Sequence, residues 1–124
     1  MPLKSVLSIG QCCADHSSIN SLLCKHFQVE VINSDSSLDA FNLIKEKNFD
    51  LILVNRIFDC NGESGIEFIS KFFKLDKPKT PIMLVSNFEN AQNEAIHFGA
   101  APGFGKNALN SSDTLSKLKS YLEG

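Results

Sequence analysis

Short apolar runs alternate along the chain with longer stretches in which apolar residues recur every three or four positions. The apolar runs cover residues 3–9, 29–32, 50–54 and 82–85, with a shorter one around 103–104. Runs of this length, bounded by polar, Gly or Pro positions, are typical of buried β-strands. The stretches between them have the spacing of amphipathic helices. The pattern therefore predicts five strands, each followed by a helix.

Local signals predict where several helices begin and end. Asp15 lies just before the first helical pattern and is predicted to cap that helix. Ser36, with Asp39 three residues later, resembles a capping box for the second helix. Gly99 is predicted to end the fourth helix, and the fifth is expected from about Ser112. These signals support the helices independently of their apolar spacing.

Each helix is predicted to bury one apolar face. Cys24 falls on the inner face of the first helix and is expected to behave as a small buried hydrophobe. Pro78 and Pro81 are predicted to bracket the return from the third helix to the fourth strand. The predicted inward positions are Ile19, Leu22, Leu23, Phe27, Leu38, Phe41, Leu43, Ile44, Ile66, Phe68, Ile69, Phe72, Phe73, Leu115, Leu118, Tyr121 and Leu122.

Strict alternation of strand and helix predicts an α/β fold with a parallel sheet, right-handed crossovers and helices on both faces. Residues 50–54 are a nearly unbroken apolar run, as expected of a central strand covered on both sides. No repeat or linker divides the sequence, so a single domain over residues 1–124 is predicted.

Composition and charge argue against several function classes. The chain is 43% hydrophobic and 21% charged, carries a formal net charge of -2, and has no Lys/Arg cluster that would neutralise several phosphates. Nucleic-acid binding is therefore not expected. No apolar run approaches the roughly 20 residues of a membrane-spanning helix, and residues 1–4 lead into the first strand without a signal-peptide pattern. A cytoplasmic protein without membrane contact is expected.

The cysteines leave one alternative function open. No CxxC pair exists among the four of them, which are Cys12, Cys13, Cys24 and Cys60, so a structural metal site is not predicted. Cys12, Cys13 and His16 are nevertheless crowded into one loop, where thiolates near a helix N-terminus would favour a redox or metal sensor. The same loop matches neither GxGxxG nor GxxxxGK(S/T), which argues against nucleotide binding.

Open α/β sheets bind their ligands at the carboxyl ends of the strands. The loops at that edge cover residues 10–16, 55–65, 86–89 and 105–107. Residues 49–55, 62–68, 81–86 and 99–106 resemble, in order and spacing, the receiver domain of bacterial two-component response regulators. The resemblance implies a doubly wound, flavodoxin-like sheet of five strands in the order 2-1-3-4-5. It also implies a role in two-component or phosphorelay signalling.

In receiver domains, a pair of acidic residues follows the first strand and a phosphoaccepting Asp follows the third. The resemblance puts the pair at Gly10 and Gln11, with Gln11 and Cys12 as the alternative register. It puts the phosphoacceptor at Asn55, whose neutral amide is a far weaker nucleophile and Mg²⁺ ligand than a carboxylate. Loss of all three carboxylates implies a module that is not phosphorylated, binds no Mg²⁺ or other cofactor, and is not an enzyme.

The resemblance also implies that Ser86 and Lys106 are retained from the family's site. Lys106 is expected to hydrogen-bond Asn55, Ser86 or loop carbonyl groups, or to hold a small anion together with Ser86. Asp15 and Asp59 are the nearby carboxylates that would have to replace the missing metal ligands. Asp15 is expected to be a helix cap instead, and Asp59 to point along the outer loop.

The switch region of the family is changed as well. Its aromatic position falls on Gly103, which has no side chain that changes rotamer, and Asn107 replaces the Pro that commonly follows Lys106. The last loop is therefore expected to follow a different path.

Partner binding is the function that these losses leave. Gly124 follows the fifth predicted helix directly, so no output domain is expected and any effect would pass through protein contact. Receiver domains often dimerise through their last two helices and fifth strand. The resemblance thus suggests Phe98, Phe104 and Leu109 as an interaction face, for a protein partner or a second copy of the chain.

Overall fold

A computed structural model describes residues 3–75 and 80–122 of the protein. Strands and helices alternate along it as the apolar pattern predicted. The strands are β1 (Lys4–Ile9), β2 (Val29–Ser34), β3 (Leu51–Asn55), β4 (Ile82–Val85) and β5 (Ala101–Phe104). The helices are α1 (Cys13–His26), α2 (Ser37–Glu46), α3 (Gly65–Phe72), α4 (Glu89–His97) and α5 (Ser112–Leu122), with a short 3-10 turn at Lys106–Ala108. The predictions on Met1, Pro2, Pro78 and Gly124 lie outside the described residues.

The five strands form one parallel sheet in the order β2-β1-β3-β4-β5, which confirms the predicted fold class. Ile9 of β1 is paired with Val54 of β3, and Asn55 of β3 is paired with Val85 of β4. All of β3 is buried, since helices cover both faces of the sheet. This register brings the carboxyl ends of β1, β3 and β4 side by side.

Two apolar layers hold the helices to the sheet. Ile52 and Val54 of β3 belong to the layer under α2, α3 and α4, whereas Leu51 and Leu53 belong to the layer under α1 and α5. Burial of each such side chain stabilises the fold by about 1.5–3 kcal/mol. None of the helices in residues 3–75 or 80–122 is long and apolar enough to cross a membrane.

The structure agrees with the predicted cap of α2 and differs from the predicted cap of α1. Ser36 caps α2, because its hydroxyl accepts a hydrogen bond from the Asp39 N–H at 3.1 Å. The predicted cap at Asp15 is wrong. The helix α1 begins earlier, and the Cys12 sulfur accepts from the Asp15 N–H at 3.4 Å, so Asp15 lies inside the first turn. The Asp15 carboxylate is thereby released for another contact.

Two of the predicted inward positions are also wrong. Cys24 is exposed on α1, and Leu38, in the first turn of α2, is 74% exposed. Ala40 is instead the fully buried residue of α2. Leu38 and Ala40 lie two residues apart, so their side chains point about 200° apart, toward opposite sides of α2.

Candidate functional site

Asn55 lies at the carboxyl end of the central strand and is only 7% exposed. Its side-chain amide nitrogen donates hydrogen bonds to the Gly10 carbonyl at 2.9 Å and the Ile57 carbonyl at 2.7 Å. Two backbone oxygens therefore converge on one neutral donor. A carboxylate in the same rotamer would place negative charge against both oxygens and would need a cation or a proton between them. The local geometry matches an amide at this position.

Gly10 follows β1 directly and has a positive φ of 75°. A Cβ atom there would lie 2.4 Å from Cδ1 of Phe58, and the Phe58 ring is buried to 1% exposure. The Gly10 carbonyl, besides binding Asn55, accepts a hydrogen bond from the Asp59 N–H at 2.9 Å. No space is therefore left for an acidic side chain at position 10 while Phe58 keeps its place.

Gln11 is 4% exposed, and neither its amide nitrogen nor its amide oxygen has a hydrogen-bond partner among the described residues. Burying an amide in this way costs about 1–3 kcal/mol. In the alternative register, Cys12 is committed to capping α1. Neither register thus supplies a carboxylate beside Asn55.

Lys106 forms an ion pair with Asp15, with 2.6 Å between its Nζ and the carboxylate oxygen. The expected bonds of Lys106 to Asn55 or Ser86 do not appear, because the first turn of α1 presents a carboxylate within its reach. The Lys106 hydrogen bond holds the pKa of Asp15 below its ordinary value, against an opposing effect of partial burial. The charge of Lys106 is therefore already compensated.

A cavity of about 260 Å³ lies at this edge, and its lining brings together Asn55, Asp59, Ser86 and Lys106. Ser86 is 6% exposed, and its hydroxyl accepts a hydrogen bond from the Phe88 N–H at 3.1 Å. Its role there is to shape the turn before α4. The charged residues in the lining are Arg56, Asp59 and Lys106, and Lys106 is already paired with Asp15. Arg56 and Asp59 oppose each other in sign, so the lining charge favours neither an anion nor a cation, and anion binding stays a hypothesis.

The loop that contains Cys12, Cys13 and His16 has one residue with a structural role. Cys12 caps α1, Cys13 is exposed, and Nδ1 of His16 is buried without a partner among the described residues. Within residues 3–75 and 80–122, no three His, Cys, Asp or Glu side chains are grouped so that they could hold a metal ion. A metal sensor would lack ligands here, while thiol chemistry at Cys13 stays a hypothesis that thiol-reactivity measurements would test.

The β4–β5 side of the edge is held by a residue that the sequence did not single out, Gln92 of α4. Its amide nitrogen donates to the Leu84 carbonyl at 2.8 Å, and its amide oxygen accepts from the Gly103 N–H at 3.2 Å. A Cβ at Gly103 would lie 2.1 Å from the Leu84 oxygen, so only glycine fits. Gln92 bridges the irregular pairing of β4 and β5. In the sequence, the signal for Gln92 was a polar residue placed between Ala91 and Ala95, which both face the core.

The predicted interaction face is only partly on the surface. Phe104 is 4% exposed and packs in the core under α1 and α5, so its assignment to that face is wrong. Leu109 is partly buried against the same layer, and Phe98 is 38% exposed. Side chains along β5 alternate between the two faces of the sheet, and Phe104 falls on the face that α1 and α5 cover.

No protein-family model and no curated protein matches the sequence. Solved structures do match its fold. The beryllofluoride-activated NtrC4 receiver domain dimer is 20% identical with a TM-score of 0.79, and the match covers 98% of both chains. The chemotaxis protein CheY4 of Vibrio cholerae is 18% identical with a TM-score of 0.77, over 98% of this chain and 100% of that one.

A third similar structure is a receiver domain of Saccharomyces cerevisiae, solved in complex with a histidine phosphotransfer signalling protein. It is 19% identical with a TM-score of 0.75, over 97% of this chain and 89% of that one. At these identities the likeness establishes a shared fold. The chain has the fold of receiver domains.

Proposed function

We propose that this chain is a receiver-like signalling module of a two-component or phosphorelay system that accepts no phosphoryl group and acts by binding a protein partner. The carrying observation is the Asn55 amide, which donates to the Gly10 and Ile57 carbonyls where the resemblance puts a phosphoaccepting carboxylate. The proposal includes a cytoplasmic location, no bound Mg²⁺ and no catalytic role.

Further contacts support the loss of phosphorylation. Phe58 occupies the space that a side chain at Gly10 would need, and Asp15 engages Lys106. Partner binding is supported by the similar solved structures, since one is a dimer and another is bound to a phosphotransfer protein. The face made by α4, β5 and α5 stays a prediction, with Phe98 as its exposed aromatic residue.

The proposal is tested by incubating the chain with Mg²⁺ and either acetyl phosphate or beryllofluoride. Intact mass reports phosphorylation and amide NMR shifts report binding. The comparison variant combines Asn55→Asp with Gln11→Asp, because a substitution at Gly10 would clash with Phe58. A variant with Asn42→Asp and Asn93→Asp makes the same change of charge at exposed helical positions. We expect a response only from the first variant.

A gain of phosphoryl mass by the natural chain would contradict the proposal. Peptide mapping would then identify the acceptor, with Asp15 and Asp59 as the candidates. Beryllofluoride shifts around Asn55 in the natural chain would contradict the loss of the binding site even without covalent transfer.

A further inference from the structure

A large groove on the described surface lies between α3 and α4. Its volume is about 780 Å³, against about 260 Å³ for the cavity at Asn55. We name it the α3–α4 groove and define it by its lining, Arg56, Ile57, Ser64, Ile66, Glu67, Phe88, Glu89, Asn90, Ala91 and Glu94. A concavity of this size accommodates an anchoring side chain and its neighbours in a bound peptide.

Phe88 is the unusual residue of this groove. It occupies the N-cap of α4, makes no side-chain capping bond, and is 60% exposed. Ser, Thr, Asp or Asn would cap the helix, and a buried position would make use of the ring. Neither capping nor burial therefore explains an aromatic residue here. The guanidinium of Arg56 lies 4.8 Å from the ring centroid and steadies the ring at the mouth of the groove.

Apolar surface continues from Phe88 along the groove. Ile57 is 43% exposed, and Ile66 is half-buried beside it. Two exposed apolar side chains that line the same concavity provide a place where one apolar side chain of a partner can pack. Interfaces commonly depend on one or two aromatic residues of this kind in a desolvated pocket.

The rim of the groove is acidic. Glu67, Glu89 and Glu94 are exposed, and none of them joins an ion pair in the described part of the chain. Helix dipoles favour a carboxylate in a first turn, which accounts for Glu67 and Glu89. Glu94 lies later in α4 and has no such role. With Arg56 as the only cation in the lining, the groove carries a net negative charge.

We propose that the α3–α4 groove docks a basic segment of a protein partner. An aromatic or branched aliphatic residue of the segment packs on Phe88 and Ile57, and flanking Lys or Arg residues face the three glutamates. The inference rests on the proposed function in one respect, that the chain works by partner binding. It locates that binding in the groove between α3 and α4 rather than on the face made by α4, β5 and α5 around Phe98.

The test selects short random peptides displayed on phage against the natural chain, and then titrates the enriched peptides by fluorescence anisotropy. We expect enrichment of an aromatic or branched aliphatic residue flanked by Lys or Arg, with affinity that falls as salt is added. Phe88→Ser should weaken binding by at least about tenfold. Its melting temperature should not fall, because Ser is a favoured N-cap.

Charge reversal and a matched control complete the design. Glu67→Lys combined with Glu94→Lys should weaken binding to a similar degree. Leu38→Ser removes an apolar residue that is 74% exposed on α2, outside the groove, and should leave binding unchanged.

Four results would contradict the docking of a basic segment in the α3–α4 groove. One is enriched peptides that lack basic residues or bind Phe88→Ser as well as the natural chain. Another is a dimer of the natural chain in sedimentation that Phe88→Ser dissociates, since the occupant would then be a second copy. Binding that survives Phe88→Ser but is lost with Phe98→Ser would contradict docking in the α3–α4 groove and would agree with the proposed function. A selection that enriches no peptide would contradict docking in the groove, whereas the proposed function would still be judged by the experiment with Mg²⁺ and beryllofluoride.

Discussion

The two sides of the carboxyl edge satisfy their polar groups to different degrees. On the β4–β5 side, Gln92 serves the Leu84 carbonyl and the Gly103 N–H, and Lys117 donates to the Gly103 carbonyl at 2.9 Å. On the β1–β3 side, the Asn55 amide nitrogen has two acceptors, but both amide atoms of Gln11 lack described partners. On the β4–β5 side, side chains satisfy the hydrogen-bonding groups of the backbone. The β1–β3 side keeps a buried amide without a described partner.

The difference distinguishes a residue with a structural role, Gln92, from a residue that stability does not explain, Gln11. Gln92 completes a strand pairing in which Pro102, lacking an N–H, cannot take part as a donor. Its hydrogen bonds stabilise the fold, so no further role is needed to explain the residue. Gln11 occupies a buried position at an energetic cost. Stability alone therefore does not account for the choice of residue at position 11.

The largest effect is expected on the β1–β3 side, from Gly10→Asp. A side chain there combines a positive φ with a 2.4 Å approach to Phe58, so unfolding free energy should fall by about 3 kcal/mol or more. Urea unfolding measures it. Gly62→Asp is the matched control, because Gly62 has a φ of 74° but a Cβ added there would meet nothing within 4 Å. Equal losses for both variants would contradict the steric role of Phe58.

On the β4–β5 side, Gln92→Ala should lower the free energy of unfolding by about 1–3 kcal/mol, because it leaves the Leu84 carbonyl and the Gly103 N–H without their partner. Thermal and urea unfolding check the value. Asn93→Ala, at the neighbouring exposed position, should change it little. If the two variants were equally stable, Gln92 would not be the residue that holds β4 to β5.

Gln11→Met is expected to stabilise the fold, whereas Gly10→Asp and Gln92→Ala destabilise it. Replacing a buried, unpartnered amide by an apolar side chain of similar length should raise the free energy of unfolding by about 1 kcal/mol. The corresponding change at Gln92, Gln92→Met, should lower it. A loss of stability in Gln11→Met would show that the amide of Gln11 has a partner in solution.

The smallest effect concerns Asp15 and Lys106. The pKa of Asp15 is lowered in the folded chain, so the pair stabilises the fold fully above the unfolded value of about 3.9 and less as pH falls through the folded value. Asp15→Asn should therefore cost less than about 1 kcal/mol near neutral pH and nothing in strong acid. Urea unfolding across pH measures this. In Lys106→Met, the pH dependence due to Asp15 should be reduced.

Much of the fold was predictable because its signals are local. Runs such as residues 50–54 and the cap at Ser36 depend on residues within a few positions of each other. The early start of α1 was missed because a cysteine is not a usual cap, and Cys12 took the place expected of Asp15. The exposure of Leu38 was missed because Leu38 and Ala40 are both apolar and lie on opposite sides of the first turn, and apolar spacing does not tell which of them faces the sheet.

The candidate site was predictable in its chemistry and less so in its contacts. That Asn55 carries no nucleophilic carboxylate follows from its identity. That Lys106 pairs with Asp15 depends on where the end of β5 lies relative to the start of α1. The burial of Phe104 likewise depends on which face of β5 is covered by α1 and α5.

The sequence by itself determined the order of strands and helices and the absence of an acidic side chain at positions 10, 11 and 55, since periodicity and side-chain chemistry belong to the residues. Only the tertiary structure decided that Phe58 closes the space beside Gly10, that Gln92 joins β4 to β5, and that Phe88 stands exposed over an acidic groove. The physical reason is distance along the chain. Asn55 and Gly10 meet across 45 residues, and such contacts depend on how the sheet and its helices pack.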